Sequence, residues 1–195
     1  MNPRGPITFA LGLASALTLG WVAYPRLQYK SIEQPIQFSH KVHTGEAAGM
    51  ACADCHPLGD DGRFAGLPPI ATCEPCHTEP QGKTANEKRF VEEYVAKGRE
   101  VPWLVYARQP ENVYFSHAPH IGLAGIKCER CHGPHGGTDR LRPYQENRLS
   151  SYSRDIWGPS PTRLARAEWE GMKMNDCSAC HEKHGVRESC LTCHK

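Results

Sequence analysis

Ten cysteines occur in this chain of 195 residues, and every one lies in a Cys-x-x-Cys-His motif. The motifs are Cys52-Ala53-Asp54-Cys55-His56, Cys73-Glu74-Pro75-Cys76-His77, Cys128-Glu129-Arg130-Cys131-His132, Cys177-Ser178-Ala179-Cys180-His181 and Cys190-Leu191-Thr192-Cys193-His194. The spacing meets a definite chemical demand. Two thiols three residues apart can each bond one vinyl group of a porphyrin, and the next residue offers its imidazole to the iron. Five covalent haem c groups are therefore expected, with His56, His77, His132, His181 and His194 as proximal ligands. Other uses of the cysteines fit worse. Paired Cys-x-x-Cys knuckles can hold zinc, but zinc does not require a histidine after each pair. With 11 histidines in 195 residues, five such coincidences have a chance of about one in a million. A thioredoxin-like redox motif would occur once, inside an α/β pattern that this sequence lacks. Ten cysteines would otherwise suggest disulfides, and the spacing argues against them.

The second axial position of each iron needs a further ligand. Six histidines lie outside the motifs: His40, His43, His117, His120, His135 and His184. An isolated histidine is usually a surface or core residue, but these are patterned. Phe38-Ser39-His40-Lys41-Val42-His43 stands eight residues before the first motif, and Phe115-Ser116-His117-Ala118-Pro119-His120 stands seven before the third. That is an internal repeat. His135 and His184 each follow a motif in the frame Cys-x-x-Cys-His-x-x-His. Met50, Met172 and Met174 are alternative ligands, better read as packing residues. Bis-histidine ligation implies low-spin iron at low potential, with no open position for a substrate. The pattern is that of a multihaem c-type cytochrome, which moves electrons and has no catalytic residue of its own. A reductase with one five-coordinate haem is the competing class, and the supply of distal histidines argues against it.

Few elements are needed to position these groups. Ile7 to Tyr24 form an uncharged apolar run between Arg4 and Arg26, with Trp21 and Tyr24 at its outer end, where interfacial aromatics belong. The Ala14-Ser15-Ala16 triplet lies inside the run, and Pro25 follows it directly. An uncleaved signal anchor is the expected reading; a cleaved secretory signal is the alternative, and either exports the remainder. Residues 1–30 are thus an anchor, and 31–195 a haem domain outside the cytoplasmic membrane, where bacterial c-type haem is attached. Asn86 to Lys97 read as a helix capped by Gly98, with Phe90, Val91, Tyr94 and Val95 on one apolar face. Pro161 and Thr162 open a second helix to about Gly171, packing through Leu164, Ala165 and Trp169. Gly133 to Pro161 read mostly as loop, carrying Arg140, Arg142, Tyr144, Arg148, Tyr152, Arg154 and Trp157. It either docks a partner or wraps haem propionates. The expected fold is mostly α and irregular, with haems as its core, because a polar chain rich in Gly and Pro has little apolar material of its own.

The formal net charge is +2, without a block of like charges, which gives no indication of nucleic acid binding. Each oxidised bis-histidine haem with two ionised propionates adds about −1 and each reduced one about −2, so five haems bring the total to about −3 oxidised and about −8 reduced. A basic redox partner would be steered to such a surface.

The Phe-x-His-x-x-His units ahead of Cys-x-x-Cys-His motifs resemble those of the class III cytochromes c. The resemblance implies that the first histidine of each unit caps the haem of the motif that follows, and the second caps another haem. His40 would then serve the Cys52/Cys55 haem and His117 the Cys128/Cys131 haem. His43, His120, His135 and His184 would be left for three irons, one histidine over. The segments FSHKVH to CEPCH and VPWLVYARQPENVYFSHAPH to CERCHG resemble the cytochrome subunits of two quinone-linked membrane complexes. These are the menaquinone reductase complex of sulfate respiration and alternative complex III; the short length and CLTCHK ending fit the first better. The resemblance implies three partners: an iron–sulfur subunit, a molybdopterin-oxidoreductase-like subunit and a polytopic quinone-binding membrane subunit. It also implies a soluble periplasmic tetrahaem cytochrome as electron donor. In alternative complex III the flow runs the other way, from quinol. The menaquinone reductase cytochrome is generally hexahaem, and the surplus histidine leaves room for a sixth haem held without a Cys-x-x-Cys motif, on one histidine alone.

Overall fold

The computed structural model describes residues 4–60, 62, 66–107, 110–153, 169, 174–187 and 189–194. Helix α1 (Arg4–Thr18) runs through a π-helical turn (Leu19–Ala23) into α2 (Tyr24–Gln28). Pro25 has no N–H to give, and just ahead of it the ladder widens, with the Tyr24 N–H reaching back to the Leu19 carbonyl. The 25-residue helix 4–28 is long and apolar enough to cross a membrane. No residue of α1 is buried, and Phe9, Leu11, Leu19 and Trp21 all stand exposed.

The chain leaves this helix straight into a strand. Strand β1 (Tyr29–Ile32) pairs antiparallel with β2 (Tyr144–Asn147), Tyr29 opposite Asn147 and Ile32 opposite Tyr144. The register places Lys30 opposite Glu146, and their side chains form an ion pair at 2.8 Å. Below β2, the buried Asn147 carboxamide accepts from the N–H groups of Leu149 (2.9 Å) and Ser150 (3.1 Å) and so closes a tight turn. Strand β2 corrects the expectation of loop between Gly133 and Pro161. Four polar residues, Tyr-Gln-Glu-Asn, carry no apolar alternation, and only β1, more than a hundred residues away, makes them a strand.

The apolar core is small: Ile36, Ile70, Tyr94, Val95 and Val101 are buried together, with Cys73, Phe90 and Trp103 against them. Helix α6, following α3 (His40–Thr44), α4 (Cys52–Cys55) and α5 (Ile70–His77), spans Ala85–Glu93. It is capped by the Thr84 hydroxyl, which accepts from the Glu87 N–H at 3.1 Å. The helix expected over Asn86 to Lys97 is thus divided: after Tyr94 it tightens into a 3₁₀ turn (Val95–Lys97) and ends on Gly98 at φ +54°. That left-handed conformation favours glycine. The expected face is the one buried, with Val91, Tyr94 and Val95 inside.

Two carboxamides tie the segment before α3 to this core. Gln34, 7 % exposed, donates to the Leu104 carbonyl (2.9 Å) and accepts from the Leu104 N–H (3.0 Å). Asn86 does the same for Gln37, at 2.7 and 3.0 Å. Both partners are backbone groups of half-buried residues, Leu104 and Gln37, that these carboxamides pair. The remaining elements are a π-helical turn (Ala118–Leu123), α7 (Cys128–His132), a 3₁₀ turn (His135–Gly137), α8 (Met174–Lys183) and α9 (Cys190–Cys193). The second expected helix, with Leu164 and Ala165, lies outside the described residues, as do Arg154, Trp157 and Met172; Trp169 is described and stands over Gly133. Replacing Gln34 by Ala should lower unfolding free energy by about 1–3 kcal/mol, since it strands two half-buried backbone groups. Guanidinium denaturation of the haem-loaded protein checks this; an unchanged midpoint would refute it.

Candidate functional site

Each cysteine motif folds into a helical turn, which sets the two thiols on one face and brings the histidine after them. In the first and fifth motifs the histidine N–H closes the turn on the first cysteine's carbonyl, His56 to Cys52 at 2.8 Å and His194 to Cys190 at 2.9 Å. The Asp54 carboxylate accepts from the Ala51 N–H at 2.7 Å and so caps α4. At the third motif the chain escapes through Gly133 (φ +77°), where a Cβ would stand 2.9 Å from the Trp169 ring. The fifth motif is docked on the chain ahead of the second Phe-Ser-His unit, the Tyr114 N–H donating to the Cys193 carbonyl at 2.7 Å.

The imidazoles stand in facing pairs. His43 faces His77 with ring centres 6.1 Å apart and planes inclined by 35°. His117 faces His132 at 6.3 Å and 9°, and His120 faces His181 at 6.0 Å and 22°. His40 faces His135 at 6.1 Å and 47°. These separations are the fit test for haem iron. An imidazole nitrogen binds a metal at about 2 Å and the ring centre lies about 1.1 Å behind it, so two axial imidazoles have centres about 6 Å apart. Three of the pairs join a distal candidate to a motif histidine. The fourth joins two histidines from outside the motifs. The class III resemblance implies His40 for the haem of the following motif; the structure sets its ring against His135, with His56 also near enough to repel its proton. His184 is exposed beyond α8, and among the described residues no other imidazole ring stands against His184 or His194. Met174 is 69 % exposed, so the packing role expected for it is not the one it has.

The two Phe-Ser-His-x-x-His units repeat in space as well as in sequence. The Nδ1–H of His43 donates to the Ser39 carbonyl at 2.7 Å, and that of His120 to the Ser116 carbonyl at 2.7 Å. Each bond places a proton on Nδ1, which makes Nε2 the coordinating nitrogen of the neutral ring. Phe38 stacks on His43 (4.2 Å, 23°) and meets His40 edge-on (4.9 Å, 84°). Phe115 stacks on His120 (4.5 Å, 28°) and meets His117 edge-on (4.8 Å, 88°). One aromatic ring therefore touches both imidazoles of a unit, one edge-on and the other face-on. The sequence pattern contained Phe38 and Phe115, but a regular spacing of histidines does not say what the flanking aromatic does.

Burial favours the neutral form of His40, His56, His77, His117, His132 and His135. His40 is pushed down to about 4, first by desolvation and then by the charges that His135, His56 and His43 would carry. Desolvation also lowers His56, His77, His117, His132 and His135, with Glu87 working against it at His77 from 3.4 Å. A neutral imidazole is the form that binds a metal. Burial likewise raises the thiols of Cys52, Cys55, Cys73 and Cys131. The histidine shifts carry a sign. An imidazole depressed in the fold stabilises it fully above the ordinary value of about 6.5, and that stability is lost as pH falls towards about 4 for His40. Iron ligation extends the window further down. Low-spin haem absorbance should therefore hold at pH 7 and decay only in acid; loss on raising the pH from 7 to 9 would contradict the assignment.

The family model for the class III cytochromes c matches residues 22–102. The chain is 43 % identical over 207 aligned positions to the menaquinone reductase multihaem cytochrome c subunit of Nitratidesulfovibrio vulgaris Hildenborough, an alignment covering 98 % of this chain and 90 % of that one. Identity of that degree over nearly the whole length, with motifs for thioether attachment and imidazoles paired at iron-spanning distance, gives the conclusion: the chain belongs to the family of that subunit, and is an electron-transfer multihaem cytochrome c with covalently bound haem c.

Proposed function

We propose that this chain is the periplasm-facing, membrane-anchored cytochrome subunit of a menaquinone reductase complex, taking electrons from a soluble periplasmic tetrahaem cytochrome and passing them on towards menaquinone. The observation that carries this reading is the 43 % identity with the Nitratidesulfovibrio subunit across 98 % of the chain. The helix 4–28 supports anchoring, with residues 31–195 as the exported haem domain. Five covalent haems would sit on Cys52/Cys55, Cys73/Cys76, Cys128/Cys131, Cys177/Cys180 and Cys190/Cys193, with His56, His77, His132, His181 and His194 as proximal ligands. The ring pairs support His43 as the distal ligand of the second of these, His117 of the third and His120 of the fourth.

Bound haem supplies reversible one-electron chemistry at iron. The chain's own residues set two imidazoles face to face on three of these axes, place the Nδ1 protons of His43 and His120 on the Ser39 and Ser116 carbonyls, and pack Phe38 and Phe115 against the rings. Where both axial positions are filled, no side chain makes or breaks a bond. The receiving partners in this reading are the iron–sulfur subunit, the molybdopterin-oxidoreductase-like subunit and the polytopic quinone-binding subunit.

Gentle detergent extraction followed by mass analysis tests the assembly. Co-purification of those three partners, and menaquinone reduction by a reduced periplasmic cytochrome, are expected. Recovery of the chain alone would remove the complex, and electron flow only from quinol would favour an alternative complex III. Replacing His43 by Met should leave one haem with a His/Met axis, a sulfur–iron charge-transfer band and a raised potential. Potentiometric titration with absorbance reads this, and no change in any haem would remove His43 from the ligand set.

A further inference from the structure

The His40–His135 pair has no place in a scheme in which every iron takes one ligand from a Cys-x-x-Cys-His motif. Its geometry nevertheless matches the other three pairs: centres 6.1 Å apart, against 6.0 to 6.3 Å elsewhere. A direct N–H···N hydrogen bond would bring the centres to about 5 Å, while ordinary aromatic contacts spread over about 4.5–7 Å. All four pairs instead fall at one separation, the width of a metal atom with a bond on either side.

The two segments are built to keep that gap. The Lys41 N–H donates to the Thr138 carbonyl at 3.1 Å. The Thr44 hydroxyl donates to the Gly136 carbonyl at 2.7 Å. The Leu141 N–H donates to the Gln37 side chain at 3.0 Å, and Lys41 pairs with Asp139 at 3.3 Å. The single hydroxyl proton of Thr138 goes to the His135 carbonyl at 2.7 Å. Its oxygen then faces His40 Nδ1 as acceptor, in a long 3.5 Å contact. That leaves His40 Nε2 as the nitrogen free to coordinate, as in the Ser39 and Ser116 arrangements.

The pair also has a position in a series. His40 and His43 are three residues apart, as are His132 and His135, and His117 and His120. Each dyad puts one histidine in each of two neighbouring pairs. The pairs therefore follow one another as His77–His43, His40–His135, His132–His117 and His120–His181. An iron on the second pair would make this series continuous.

We infer that His40 and His135 are together the two axial ligands of a single haem iron, one that takes neither ligand from a Cys-x-x-Cys-His motif. This rests on the haem-relay reading above. The porphyrin has two sources: the one attached through Cys52 and Cys55, with His56 off its iron, or a further haem held by coordination alone.

The test uses the haem-loaded full chain and counts low-spin haems by electron paramagnetic resonance, with covalent haem counted by mass. His40→Ala and His135→Ala should each remove one low-spin haem, and the double variant should remove the same one and no more. Two haems lost in the double variant, or none in either single variant, would overturn the inference. If the alanine variants do not load, His40→Met and His135→Met replace them. Each should raise the potential of one and the same haem, whereas two different haems responding would overturn the pairing. His117→Ala is the control: if it also leaves every haem low-spin, the bis-histidine reading itself fails, and if it alone responds, only this pairing does. Acid–acetone extraction separates the sources. Released haem marks one held by coordination alone, and full retention marks the porphyrin of Cys52 and Cys55.

Discussion

A neutral imidazole facing another across the width of an iron atom is the constraint around which this chain is arranged. Water and protons both oppose it, because an exposed histidine near neutral pH is partly charged and a charged one cannot coordinate. The fold answers with desolvation. Six imidazoles are held below their ordinary range, and burial is the leading cause at each. The small apolar core of Ile36, Ile70, Tyr94, Val95 and Val101 supports this indirectly, through Phe90, which meets His77 edge-on at 5.5 Å.

The Phe-Ser-His-x-x-His unit is where local sequence becomes site geometry. One turn of chain supplies one imidazole to each of two different pairs, a backbone carbonyl that accepts from Nδ1, and an aromatic ring that packs on both. Because α3 and the Ala118–Leu123 turn are each too short to be stable alone, their shape comes from contacts made elsewhere. For α3 these are the bonds to residues 136–141 and the carboxamide clips of Gln34 and Asn86.

The cysteine motifs and the repeat were legible in the sequence because haem attachment demands contiguous residues at fixed spacing. The buried face of α6 and its ending at Gly98 were legible for a similar reason, since period and capping are local. The partner of His40 was not. The class III resemblance implies that His40 serves the motif that follows, whereas the fold sets its ring against a residue 95 positions on, through hydrogen bonds that no periodicity records. Strand β2 escaped detection likewise, since its partner is at the other end of the chain and its residues are polar. The exposure of Met174 shows the same limit: residue type favours packing, but at the start of α8 it stands 69 % exposed among the described residues.

The junction between the apolar helix and the haem domain has a mechanical consequence. Strand β1 begins at Tyr29, the residue after α2 ends, and the Arg148 N–H donates to the Gln28 carbonyl at 2.9 Å. There is thus no slack tether. Set in a bilayer, the helix would hold the domain at one height and one tilt, through a two-stranded hinge plate pinned by Lys30 and Glu146. In the proposed anchored arrangement, orientational searching would fall to a mobile redox partner, which would meet a surface held at one angle, and any gain in encounter rate would come from stiffness rather than from added affinity.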